Sequence, residues 1–198
     1  MVEYFLHVLC HFVKEYKINI NKLKESKLSK VKGYSTCGVP CIDGAYIDFF
    51  QEAAASMNSG LVDVMPIPGS SKDLFMPKMA AHRFVQSFIS VSVAKHGINH
   101  ILLCSHLCCG AYEHLGLSLP DEEALQREHI ERAKHFLKDQ VPLAIGHYLA
   151  YSDVDDHGKD NLKTVLSKGL IVDAFIIKPH NMSKRIVKPA SECFVEKV

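Results

Sequence analysis

The stretch GINHILLCSHLCCGA, residues 97–111, decides the fold class of this chain. Gly97 closes a segment, 75–96, in which apolar residues return at helical spacing, and glycine commonly ends a helix. The run 101–104 is continuously apolar, as in strands that are buried on both faces of a sheet. Polar and thiol side chains follow at once. We therefore predict a helix, a buried strand and a turn that can carry chemistry.

Helical and extended patterns alternate along the rest of the chain. Apolar runs predict strands at 34–42, 61–67, 101–104, 141–151 and 170–177. Helical spacing predicts helices at 2–16, 47–57 and 75–96, from Pro120 onward, and just before the last strand. Strands that alternate with helices favour a mostly parallel sheet with helices on both faces. We expect an α/β fold with four or five strands, although Pro40 donates no hydrogen bond to a central strand.

The domain organisation follows from the length. A chain of 198 residues is of ordinary size for one domain. We predict a single domain over 1–198, with an N-terminal helix and linker at 1–33, an α/β core at 34–178 and a C-terminal tail at 179–198. The segment from Lys178 onward carries five Lys or Arg and two Glu. Its sequence leaves open whether it is a tail or an arm.

Composition excludes several classes of protein. The 23 basic and 22 acidic side chains nearly balance, which argues against nucleic-acid binding, because that needs a basic face. No apolar run approaches the ~18 residues of a membrane span, and the N-terminus lacks the features of a signal peptide. Seven cysteines favour a reducing compartment with thiols free for metal binding or catalysis. We expect a soluble, cytoplasmic protein.

Three side chains carry the chemical hypothesis. His106 ends the buried strand, Cys109 lies in the turn after it, and Cys41 ends an earlier strand. Ligand sites in open α/β sheets lie beyond the carboxyl ends of the strands, so the three converge if these strands are neighbours. Two thiolates and one imidazole form a three-ligand Zn²⁺ site with a fourth position open for water or substrate.

Asp43 lies two residues beyond Cys41 and is the candidate catalytic residue. Zinc lowers the pKa of its bound water toward ~7 and so supplies hydroxide at neutral pH. The Asp43 carboxylate could accept a hydrogen bond from that hydroxide and orient it. It could equally occupy the fourth position on the metal, or simply cap the helix that follows.

Other cysteines and histidines are alternatives. Cys37 could replace Cys41 as a ligand, whereas core packing is the favoured interpretation of Cys104. Only one of the adjacent Cys108 and Cys109 should face a metal. Core or interface packing is also favoured for three residues on adjacent turns of the first predicted helix, His7, Cys10 and His11.

The motifs Cys41-Ile42-Asp43 and His106-Leu107-Cys108-Cys109-Gly110-Ala111 together resemble the β-class carbonic anhydrase family, whose pattern is Cys-x-Asp-Ser-Arg followed by His-x-x-Cys-Gly-Ala. The match covers 34–115 and extends weakly to 151, where 142–151 would be the next strand. It implies a doubly wound α/β zinc enzyme that reversibly hydrates carbon dioxide to bicarbonate and assembles as a homodimer or larger homo-oligomer. Cys41, His106 and Cys109 would bind zinc, and Asp43 would lie beside the zinc-bound water.

The chain departs from that family pattern at Gly44-Ala45, which stand in place of Ser-Arg. The family's arginine pairs with the aspartate and holds it off the metal. A nearby cation could replace it, and the candidates are Lys72, Lys78 and Arg83. Three functions stay open: a carbonic anhydrase, a zinc hydrolase of a related carbon–sulfur compound, and a non-catalytic zinc-binding protein in which Asp43 fills the fourth position.

Overall fold

Five strands form one mostly parallel sheet in the computed structural model of this protein. They are β1 (Thr36–Pro40), β2 (Val62–Val64), β3 (His100–His106), β4 (Ile171–Pro179) and β5 (Cys193–Lys197). Their order across the sheet is β2-β1-β3-β4-β5. The first four are parallel to one another, and β5 is antiparallel to β4. The prediction of a mostly parallel α/β sheet is confirmed.

The structure describes residues 36–46, 49–51, 54, 62–74, 79–182 and 193–198. These belong to the compact unit Lys32–Val198. The predicted N-terminal helix, with His7, Cys10 and His11, and most of the linker at 1–33 lie outside the described residues. Lys78 and most of the predicted helix at 47–57 also lie outside them. The single-domain boundaries stay a prediction.

The helices follow the caps that the sequence provides. Helix α1 (Met79–Ser87) continues through a π-helical segment (Phe88–Val93) into α2 (Ala94–His96). It ends as predicted at Gly97, whose φ of +68° suits glycine. Three more helices follow: α3 (Gly110–Glu113), α4 (Leu119–Tyr151) and α5 (Asp156–Lys168). Ser118 and Asp155 cap α4 and α5 through their side-chain oxygens.

The prediction of a strand at 141–151 is wrong, because these residues form the last turns of α4. Val141 and Ile145 are fully buried and lie four residues apart, the spacing of one helix face. A short apolar run cannot by itself distinguish a buried strand from a buried helix. Pro142 removes one backbone hydrogen bond, but packing on both sides of it keeps the helix continuous.

The basic C-terminal segment contributes a strand rather than only a tail. Strand β5 pairs with β4 from Phe175↔Lys197 to Pro179↔Cys193. The ammonium of Lys178 donates to Glu123 at 2.9 Å and to Glu196 at 3.0 Å, and Arg127 pairs with both carboxylates. This network joins the edge strand to helix α4.

The sheet has a buried apolar layer on each face. Strand residues including Val39, Leu103 and Ile176 pack with α1, α4 and α5. On the opposite face, Leu102, Cys104, Phe175 and Ile177 pack with Tyr46, Phe50 and Ala54. Residues 49–51 and 54 are helical, so helices cover both faces as predicted.

Gly38 in β1 is required by the layer that contains Phe50. A Cβ atom at Gly38 would lie 2.2 Å from Cζ of Phe50, so only glycine admits this ring. Within the described ranges, every helix is too short or too polar to cross a lipid bilayer.

Candidate metal centre

The candidate site lies where the strand order reverses between β1 and β3. The chain leaves β1 for β2 on one side and returns to β3 on the other, which opens a crevice at the carboxyl ends of the strands. The two strands are neighbours, with Pro40 opposite Cys104. Pro40 ends β1, so the missing N–H interrupts the ladder only at its last position. The condition for convergence of the predicted ligands is therefore met.

Cys41, His106 and Cys109 come together in this crevice. One possible ligand atom from each lies within 4.8 Å of the other two, and the two sulfurs are 3.6 Å apart. The residues are buried, with 9%, 1% and 2% of their surfaces exposed. Within the described part of the chain, no other group of three His, Cys, Asp or Glu residues meets this criterion. The donor set can hold one metal ion.

The ring of His106 has one nitrogen bonded and one free. Its Nδ1 lies 3.0 Å from the carbonyl oxygen of Leu107, which can only accept, so Nδ1 carries the proton. Its Nε2 is buried and has no hydrogen-bond partner. Buried polar atoms are almost always paired, and a backbone bond at the second ring nitrogen is usual for histidines that bind metals. Nε2 is therefore ready to act as a ligand.

Tyr46 fixes the orientation of the same ring. The two rings stack with centroids 3.8 Å apart and an angle of 21° between their planes. The Tyr46 hydroxyl donates to Leu107 at 3.5 Å, the carbonyl that also accepts from His106. Tyr46 is held by the 3₁₀ turn Gly44–Tyr46 that follows Cys41.

The two thiols are joined by one hydrogen bond. That bond, together with the nearby ring of His106, lowers the pKa of Cys41 well below its ordinary value, although burial opposes this shift. The same bond and burial raise the pKa of Cys109. The backbone N–H of Gly69 also donates to the Cys41 sulfur, at 3.3 Å. A divalent cation at this point would replace the proton between the two sulfurs and favour both thiolates.

The loop from Ser70 to Leu74 is fixed to the strand ends beneath the site. The Ser70 hydroxyl donates to the Val39 carbonyl at 2.6 Å, and the hydroxyls of Ser71 and Ser105 are 3.3 Å apart. These bonds hold the N–H of Gly69 on the Cys41 sulfur. Gly69 was not among the predicted site residues; the signal that could have found it is the Pro68-Gly69 dipeptide, which is typical of a turn.

The structure describes two of the three cations predicted as replacements for the family's arginine. Lys72 lies next to the site, where its ammonium donates to the Ala111 carbonyl and lies 5.1 Å above the Tyr112 ring. Arg83 is exposed on α1, and Lys78 is outside the described residues.

Asp43 is exposed and does not belong to the group of three ligands. Its carbonyl accepts from Tyr46 at 3.3 Å and so closes the turn after Cys41. Its catalytic role stays a prediction.

The other cysteines of the described chain lie outside the ligand group. Cys37 is fully buried in the layer under α1, where burial raises its pKa. Cys104 packs in the opposite layer. Cys108 is half-buried, with a left-handed φ of +61° that carries the chain from His106 around to Cys109.

Two buried polar side chains on α4 support the turn, and sequence reasoning missed both. Oε1 of Glu122 accepts from the backbone N–H of Cys109 at 3.1 Å and from Nε2 of Gln126 at 3.0 Å. The same Nε2 donates to the carbonyl of His106 at 2.8 Å. The available signal was their position, since they lie at helical spacing with Leu119 and Ile130 on the buried face of α4.

Comparisons with known proteins give structural similarity at low sequence identity. No protein-family model matches the chain, and no curated protein matches it. It is similar to the β-carbonic anhydrase CafA of Aspergillus fumigatus, with 11% identity and a TM-score of 0.43, over 100% of this chain and 90% of that one. It is also similar to β-carbonic anhydrase isoform I of Trichomonas vaginalis, with 17% identity and a TM-score of 0.41, over 100% and 96% of the two chains. Function is therefore inferred from the geometry of the site itself.

Proposed function

We propose that Cys41, His106 and Cys109 bind one Zn²⁺ ion and that the protein is a β-carbonic anhydrase-type lyase, which reversibly hydrates carbon dioxide to bicarbonate. One observation carries the proposal. Cys41 lies 68 residues before Cys109, yet donor atoms of Cys41, His106 and Cys109 lie within 4.8 Å of one another in a buried crevice, and the histidine offers an unpartnered Nε2.

The donor set fits zinc. Zn²⁺ is a borderline-soft ion that binds both thiolate and imidazole, and three protein ligands leave a fourth position for a small molecule. Zinc held in this way would lower the pKa of its bound water toward ~7 and so would supply hydroxide at neutral pH.

The surrounding residues suit a small, linear, uncharged substrate. Tyr112 packs with Cys41 and Cys109, and Ala111 and Leu125 lie against this cluster, which forms an apolar wall beside the ligands. Carbon dioxide is small and apolar enough to lie against such a wall. Asp43, on the solvent side, would accept a hydrogen bond from the attacking water and orient its lone pair toward the substrate carbon.

A non-catalytic zinc protein is the second candidate. The observation that favours it is Ala45, which stands where the resembled family has the arginine that holds its aspartate off the metal. Lys72 is engaged by Ala111 and Tyr112, so it is a poor replacement for that arginine. Asp43 would then bind the zinc and close the site.

Stopped-flow hydration of carbon dioxide by zinc-loaded protein, from pH 7 to 9, tests the proposal. We expect a rate above that of buffer, and we expect Cys41→Ala to lose both zinc and activity. Cys104→Ala removes a neighbouring buried thiol outside the ligand group, so it should keep both.

The possible negative results distinguish the candidate functions. A rate equal to buffer from a protein that retains zinc contradicts catalysis, and a gain of activity in Ala45→Arg would then support the non-catalytic account. Sulfide release from carbon–sulfur compounds, without hydration of carbon dioxide, would support the zinc hydrolase instead.

Location and assembly are part of the same proposal. Six cysteines in the described residues are free thiols, which supports a reducing compartment such as the cytosol. We propose a homodimer, with the predicted N-terminal helix at its interface. Light scattering of the full chain should give twice the 22.1 kDa mass of one chain, and a monomeric mass would contradict it.

A further inference from the structure

The turn that carries His106 and Cys109 is held at both ends by one helix. Gln126 donates to the carbonyl of His106, and Glu122 accepts from the N–H of Cys109. The two side chains are also bonded to each other, one helical turn apart on α4. We refer to Glu122 and Gln126 as the bracket.

Both side chains of the bracket are buried, and burial of a carboxyl or amide group costs free energy unless hydrogen bonds compensate. Glu122 and Gln126 are 1% and 0% exposed. Glu122 accepts two such hydrogen bonds from N–H donors through its Oε1. It also lies in the first turn of α4, where the helix dipole favours a negative charge.

The turn needs external support because its backbone is strained. Cys108 has a φ of +61°, a region that L-residues other than Asn and Asp seldom adopt. Without the bracket, a buried carbonyl at His106 and a buried N–H at Cys109 would each lose a partner. The turn would then relax, and both ligand atoms would move with it.

We propose that Glu122 and Gln126 are positioning residues that hold the Nε2 of His106 and the Sγ of Cys109 at metal-binding separation. The inference rests on the proposed zinc site. It is independent of whether that zinc hydrates carbon dioxide. Glu122 acts through the backbone of Cys109, and it is not itself among the ligand group of the described residues.

Zinc affinity and the cobalt spectrum test the bracket in the full-length protein. Competition with a chelator gives the affinity, and Co²⁺ substitution gives the thiolate-to-cobalt charge-transfer bands, which report the ligand geometry directly. We expect Glu122→Ala to weaken zinc binding about 10–100-fold and to alter the cobalt bands. Glu122→Gln should restore most of the affinity, because its amide oxygen can still accept from Cys109.

Two further variants keep the test decisive. Gln126→Met removes the donor to His106 at similar volume and should also weaken zinc binding. Glu128→Gln is the control for the Glu122 variants. It removes a carboxylate from an exposed position on the same helix, where Glu128 pairs with Arg132, and it should leave zinc affinity unchanged.

The outcomes separate this inference from the proposed function. Wild-type zinc affinity and cobalt bands in folded Glu122→Ala overturn it. If Glu122→Ala fails to fold, wild-type values in Gln126→Met overturn it instead. A wild-type protein that binds neither zinc nor cobalt overturns the zinc site and the bracket together. Zinc binding without hydration of carbon dioxide contradicts only the catalytic proposal.

Discussion

The two nitrogens of His106 lie in different environments, and this difference prepares the ring for a metal ion. Nδ1 is committed to the Leu107 carbonyl, while Nε2 is buried near two sulfurs. The stack on Tyr46 prevents the ring from turning away. A chelating group that is oriented before the metal arrives loses little conformational entropy on binding.

A substitution at Gly69 should affect both stability and zinc binding. Its φ is +70°, and a Cβ atom there would lie 3.0 Å from Cβ of Lys72 and 3.1 Å from Cβ of Ala111. We expect Gly69→Ala to lower the free energy of unfolding by about 1–2 kcal/mol, through left-handed strain and crowding. It should also weaken zinc binding, because the crowding displaces the backbone whose N–H donates to the Cys41 sulfur.

Urea unfolding and chelator competition measure these two effects. The matched control is Gly146→Ala, a glycine of α4 whose Cβ would meet nothing within 4 Å. Zinc affinity equal to wild type in a destabilised Gly69→Ala would show that the conformation of this turn does not control zinc binding.

The sequence predicts a site residue when a pattern in the neighbouring residues marks it. Cys41, His106 and Cys109 were predicted because each lies at or just after the end of a recognisable strand and has a chemically distinctive side chain. Glu122 and Gln126 were missed because their role depends on contacts 13 to 20 residues away. No local pattern reports such contacts.

Helix α4 includes a segment whose sequence pattern, taken alone, predicts a strand. It runs unbroken from Leu119 to Tyr151, and its buried residues follow helical spacing throughout. Residues 141–151 were predicted as a strand because a short apolar run does not by itself distinguish a strand from a buried helix. Once a helix has formed, each further residue that it orders adds one backbone hydrogen bond, so extending the helix is easier than starting a new element.

Gly146 tests whether the end of α4 is helical. Alanine is the better helix former, and the exposed site offers room for its methyl group. We expect Gly146→Ala to raise the free energy of unfolding by about 0.5–1 kcal/mol. Urea denaturation checks this value. A decrease would indicate that 141–151 is not helical, since glycine-to-alanine substitution favours an exposed helix.

At the scale of the whole molecule, the C-terminal strand is joined to the rest by charge as well as by backbone pairing. Glu196 of β5 and Glu123 of α4 share the two cations Lys178 and Arg127. This strand was not predicted from sequence, because an edge strand of five residues in a basic segment is specified by pairing with β4 rather than by its own pattern.

The network gives a pH-dependent prediction. Hydrogen bonds from Arg127 and Lys178 lower the pKa of Glu196 in the folded protein. A lowered folded-state pKa stabilises the protein above the ordinary carboxyl pKa of about 4.3, and the stabilisation is lost as the pH falls through the lowered value.

We therefore expect Glu196→Gln to lower the free energy of unfolding by about 0.5–1 kcal/mol at pH 7 and low salt, because the pair is partly exposed. The difference from wild type should shrink at pH 3 and in high salt. Urea unfolding at both pH values measures it, with Asp160→Asn as a control on the exposed pair with Lys163. An equal effect at both pH values would show that charge pairing is not its cause.

The proposed binding of one zinc ion by Cys41, His106 and Cys109 can be measured at the metal itself. X-ray absorption spectroscopy of the zinc-loaded protein tests it most directly, because it counts the atoms around the metal. We predict one zinc per chain, with two sulfur neighbours at about 2.3 Å and nitrogen or oxygen neighbours at about 2.0–2.1 Å. A shell of nitrogen and oxygen alone, or protein that takes up no zinc, would contradict the account.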